Sequence, residues 1–79
     1  MSSYTNIYAQ KIYEILVPLI GDMMTKGTLK SQAAKLGINE ESIAPVHLPA
    51  LAEELRRGLV AFLGSDAAKA VASKIMSIR

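Results

Sequence analysis

The sequence predicts an all-α domain, a compact bundle of four to five short helices. Apolar residues recur at three- and four-residue steps along most of the chain, and Asn, Ser, Asp, Gly and Pro sit where such stretches should start or stop. With 79 residues and no cysteine, neither disulfides nor thiolate-bound metal can supplement the core, so apolar packing alone must make the fold. No linker, low-complexity segment or internal repeat is evident, so residues 1–79 are expected to form one small helical domain.

From Ser3 to about Lys26, Tyr4, Ile7, Tyr8, Ile12, Ile15, Leu16, Leu19, Ile20 and Met23 follow the helical period. Pro18 removes the hydrogen bond to the Glu14 carbonyl and crowds it, which predicts a kink or a break near that residue. Gly27 or Thr28 is then expected to start a second helix, LKSQAAKL, with Thr28 as its N-cap. Gly37 followed by Ile38 is the pattern of a helix stop in which the chain turns left-handed and the next apolar side chain folds back. Asn39 should cap a short segment, EESIA, ended by Pro45.

Pro49 suits the first turn of the clearest helix, Leu48 to Leu63, with Leu48, Leu51, Ala52, Leu55, Leu59, Phe62 and Leu63 on one stripe. Glu53 and Arg57 lie opposite, spaced as a helical ion pair. Gly58 borders the stripe, where it would let another helix approach closely. Gly64 ends this helix, and Ser65 with Asp66 begins the last one, whose inner side carries Ala68, Val71, Ala72, Ile75 and Ile78.

Half of the residues, 51%, are hydrophobic and the mean hydropathy is +0.26, which is rich for so short a chain. Part of the apolar surface is therefore expected to meet a second copy or a protein partner. Nine Lys plus Arg against seven Asp plus Glu leave a net charge of +2, too little for a basic nucleic-acid face. The uncharged run ILVPLIG is far below the ~20 residues that span a bilayer, so no membrane insertion is expected. MSSYTNIY lacks the cationic start and apolar stretch of a secretory signal, so the expected compartment is the cytoplasm.

Residues 28–46 resemble a helix-turn-helix: Ala33 is small where helices would cross, Gly37 is in the turn, and Ile38, Ile43 and Val46 would face the core. The would-be recognition segment opposes a DNA role, because Glu40, Glu41 and Ser42 stand where bases and phosphates would be met and Pro45 ends it after about one turn. DNA contacts would have to come from Lys30, Lys35, Arg56 and Arg57. His47, the single histidine, has no ligand-type neighbour and is expected to hydrogen-bond a free backbone amide. Adjacent Glu53 and Glu54 diverge on a helix and make no facing carboxylate pair. No phosphate loop, nucleophile elbow or metal-ligand spacing occurs, so no catalytic site, cofactor, metal or small-molecule substrate is expected.

The expected function is thus a non-enzymatic protein–protein interaction module, burying apolar helix surface and self-associating, with a small helix-turn-helix DNA-binding protein as the alternative. Tyrosine combines apolar area with a hydroxyl that tolerates water, and methionine repacks easily. Tyr4, Tyr8, Ile12, Ile15, Leu19 and Met23 are therefore the expected interface residues, on the first helix.

Overall fold

The computed structural model describes residues 4–78. It contains α1 (Ile7–Ile20), α2 (Asp22–Lys35), α3 (Leu48–Leu63) and α4 (Ser65–Met76), with short 3-10 turns at Glu40–Ser42 and Pro45–His47 between α2 and α3. Among the described residues there is no strand, and no helix is long and apolar enough to cross a membrane.

Asn6 starts α1 by accepting from the backbone amides of Tyr8 and Ala9, both at 3.0 Å. Tyr4 therefore precedes the helix instead of belonging to it. Pro18 lies inside α1, and the expected break falls three residues later, at Gly21. Gly21 has φ 84 and ψ 170, a combination open essentially to glycine alone. Its amide donates to Val17 O at 2.9 Å, closing α1, while its carbonyl accepts from Thr25 N at 3.1 Å, opening α2.

The second helix thus begins at Asp22, and Gly27 and Thr28 lie within it, contrary to the expectation that Thr28 caps it. A glycine in a helix costs about 1 kcal/mol relative to Ala. Burial of Thr25, Leu29, Gln32 and Ala33 along one face of α2 outweighs that local signal.

The same joint occurs again 43 residues later. Gly64 has φ 84 and ψ 166, its amide donates to Val60 O at 2.9 Å, and its carbonyl accepts from Ala68 N at 3.1 Å. Counted from these two glycines, buried Ala9, Ile12 and Leu16 correspond to buried Ala52, Leu55 and Leu59. Buried Thr25 and Gln32 likewise correspond to buried Ala68 and Ile75. The two helix pairs thus share the geometry of their joint and part of their buried register, while α3 packs on α4 far more extensively than α1 on α2.

The core gathers Ile12 and Leu16 of α1, Leu29 of α2, Leu51 and Leu55 of α3, and Val71 and Ile75 of α4. The most extensive helix–helix packing is between α3 and α4, where Ala68 and Ala72 permit close approach. Phe62, expected in the core stripe, is instead 64% exposed, and Leu63 is half-buried.

The corner from α2 to α3 follows its sequence closely. Gly37 N donates to Ala34 O at 3.0 Å and Ile38 N to Ala33 O at 3.1 Å, the paired bonds of a left-handed helix stop. Asn39 Oδ1 then accepts from Glu41 N at 2.9 Å. The segment it caps, Glu40–Ser42, is a single 3-10 turn, so the recognition helix of a helix-turn-helix is absent.

Candidate functional site

The six residues expected at an interface are dispersed by the fold. Ile12 is wholly buried and cannot touch a partner, which corrects its inclusion. Tyr4, Tyr8 and Ile15 are half-buried against the chain's own core, and Tyr4 meets Tyr13 edge-on with ring centroids 5.9 Å apart. Burial, with the nearby carboxylate Glu40 adding to it, pushes the Tyr4 hydroxyl above its ordinary value. Only Leu19 and Met23 stand out from the surface, Met23 at 87% exposure. The tyrosine face of α1 closes the domain.

The basic residues named for DNA contact are largely engaged. Arg56 and Arg57 both hold Glu53, Arg56 through Nε at 3.1 Å, and the Arg56 guanidinium keeps the Glu53 carboxyl below the usual range. Lys35 pairs with Glu54 at 3.7 Å. His47 does what its position suggested: its Nδ1 accepts from Ala44 N at 2.9 Å, which fixes the ring as an acceptor in the turn before α3. Among the described residues no group of three His, Cys, Asp or Glu could hold a metal ion.

A concave site does exist, between α2 and α3. The Lys35–Glu54 pair joins the end of α2 to the start of α3, while Met24 and Phe62 flank the opposite end, so the two helices run antiparallel. Between those ends lies a cleft of about 370 Å³. Leu55 and Leu59 form its floor, and Gly27, Ser31 and Gly58 leave it open because none has a side chain large enough to fill it. A Cβ added at Gly58 would meet only the Gln32 side-chain nitrogen, at 3.6 Å.

Gln32 is the unusual member of the lining. It is 7% exposed, and its Oε1 is buried without a hydrogen-bond partner. Buried amide oxygens are ordinarily paired, since an unpaired one loses its water without compensation. Among the described residues the other such atom is Thr25 Oγ1, also on α2 but not in the cleft lining.

The two-hairpin design places a counterpart of the cleft between α1 and α4. There Ile15 occupies the position of Gly58, and Lys74 that of Ser31. That surface is broader and more open, with Lys11 and Glu14 beside Lys74 and with apolar Ile15, Pro18 and Ile78 in its lining. The sequence did carry a signal for the buried polar group, because Thr25, Leu29 and Gln32 fall on one helical face and a glutamine on a core face is uncommon.

By fold and site the described residues form a four-helix bundle with an apolar groove between α2 and α3 whose lining includes the largely buried Gln32. Comparison with known protein families, with curated proteins and with solved structures finds no match.

Proposed function

We propose that this domain is a non-enzymatic protein–protein interaction module, and that a partner's apolar side chains enter the groove between α2 and α3. The observation that carries the reading is the exposed apolar rim at the groove mouth, Met24 and Phe62, above a floor of Leu55 and Leu59. Binding surfaces concentrate their energy in such recesses, where an anchor side chain is fully desolvated. Methionine at the rim adapts to different shapes.

The exposed apolar groups are not the mark of an unfinished fold. The accessible surface is 4612 Å², against roughly 4,700 Å² for a folded monomer of this mass. A surface of ordinary monomer size supports reading the groove as a receptor for a partner segment. Pairing of Lys35, Arg56 and Arg57 with carboxylates supports a protein partner over a nucleic acid.

Gly58→Leu tests the reading, because it places a side chain in the groove while removing a helix-interior glycine, a change worth about 1 kcal/mol of added helix propensity. The wild type and this variant, each immobilised, are offered a lysate of the native cells. A protein retained by the wild type and lost by an equally folded variant is the expected outcome; identical retention profiles count against it. Sedimentation velocity of both chains reports whether a second copy is one of the groove's occupants.

A further inference from the structure

Gln32 meets the groove through its nitrogen. Its Nε2 stands 3.6 Å from the place a Cβ would take on Gly58, a lining residue, while its Oε1 is sealed from solvent. Neither atom has a partner among the described residues. Because only the oxygen is sealed, the nitrogen keeps an open N–H on a side chain that is otherwise 7% exposed. Water can satisfy that N–H while the groove is empty. An occupant that fills the groove displaces the water, and unless it brings an acceptor to the same place the amide loses a hydrogen bond. The lining holds no charged side chain, so an anionic acceptor would shed its hydration with no opposite charge to meet it. The complement is a neutral oxygen.

We infer that the groove binds an extended peptide segment of the partner, with an apolar side chain on Leu55 and Leu59 and the adjoining main-chain carbonyl accepting from Gln32 Nε2. This rests on the interaction reading above. Leu55, Leu59 and Gln32 line one recess, so both contacts fall to neighbouring atoms, which a single residue offers with its side chain and its own carbonyl. The interior of a helix cannot offer them, because there each carbonyl already accepts from the amide four residues on. An extended chain leaves its carbonyls free for a receptor. A second copy of this chain is a poor source. Ile43 and Ala44, the extended residues between its 3-10 turns, have carbonyls already engaged by Asn6 and His47.

N-acetyl-leucine methylamide and its analogue with sulfur in place of the leucine carbonyl oxygen separate the hydrogen bond from the apolar contact. Sulfur is the weaker acceptor and the more apolar atom, so a merely apolar groove would hold the analogue at least as well. Each is titrated into the ¹⁵N-labelled protein, following the backbone amides of Gly27, Ser31 and Gly58 and the side-chain amide of Gln32. The expected result is saturable shifts at these groups, a downfield move of one Gln32 Nε2 proton, and roughly three- to tenfold tighter binding of the oxygen form, the worth of one net hydrogen bond. Gln32→Met keeps the bulk and removes the N–H, so it should erase the preference, and Gly58→Leu should abolish both titrations. Equal or tighter binding of the sulfur form to the wild type, a Gln32 side-chain amide that does not move, or no saturable shift at all would overturn the inference. The wild-type comparison decides the matter even where a variant is poorly folded. A partner captured in a Gly58-dependent way that lays a helix in the groove would overturn the peptide chemistry alone and leave the interaction reading standing. Probes that bind as expected, with lysate capture identical for the wild type and Gly58→Leu, would uphold the groove chemistry and fault the interaction reading.

Discussion

In the first hairpin α2 turns Thr25 and Gln32 inward; in the second, α4 turns Ala68 and Ile75 toward the equivalent places. Both hairpins bend at a glycine with nearly the same backbone angles and bury the same register of Ala, Ile and Leu on their first helices. The apolar choices let α4 pack extensively on α3, whereas α2 keeps two buried oxygens without partners and a groove along α3. The comparison teaches that the same joint geometry tolerates either apolar packing or buried polar groups on its second helix, at different cost in stability.

The joints should fail alike. Replacing Gly21 or Gly64 by Ala puts a Cβ on a backbone conformation that residues other than glycine avoid, at a cost of about 1–3 kcal/mol. No atom lies within 4 Å of the place the new methyl would take at either glycine, so the cost is backbone strain and not a clash. Thermal melts of the two variants should show similar losses, a drop of roughly 4–8 °C for each kcal/mol in a domain of this size. A large loss at one joint and none at the other would break the equivalence of the hairpins.

Thr25 sharpens the contrast from the other side. Its hydroxyl is buried and unpaired, it lies outside the groove, and its counterpart is Ala68. Thr25→Val keeps the shape and removes the unpaired oxygen, so it should raise stability by about 1 kcal/mol. Chemical denaturation would check it, with the midpoint rising at unchanged slope.

Punctuation made α3 legible: Pro49 and Gly64 bracket a clean stripe, and the helix runs from Leu48 to Leu63 as the sequence indicates. The corner at Gly37 and the His47 hydrogen bond were legible for the same reason, since both are local backbone chemistry. The start of α2 was not. Gly27 and Thr28 imitate a helix boundary, and only the burial of their neighbours against other helices overrides them. Phe62 sits on the right stripe but at the helix end, beyond the reach of the core, which no periodicity records. The groove was hidden more deeply, because it requires the antiparallel placement of α2 against α3, and residues 24–32 and 55–62 share no local pattern.

The smallest expected effect concerns how each hairpin is held at its start. The second is held by the turn in which His47 accepts from Ala44, whereas the first is clasped by a charge. Glu41 Oε1 accepts from Thr5 Oγ1 at 2.7 Å and from Asn6 N at 2.8 Å, and Asn6 Nδ2 donates to Ile43 O at 2.8 Å. The Thr5 hydroxyl first, then the Asn6 amide, hold the Glu41 carboxyl below the usual glutamate range. A carboxyl lowered in the folded state stabilises the fold above its unfolded value of about 4.3, and that contribution is lost as pH falls through the lower folded value. The acids Tyr13 and Arg56 engage, Asp22 and Glu53, are lowered too and titrate with the same sign, so the informative quantity is wild type minus Glu41→Gln. That difference in melting temperature should be small and positive near pH 7 and should vanish in strong acid, where Glu41 itself is neutral. Because the clasp is exposed to solvent, added salt should shrink the difference at neutral pH as well. A difference that is constant across the whole pH range would show that Glu41 acts through its shape, and that the first hairpin's start is fixed by Asn6 alone.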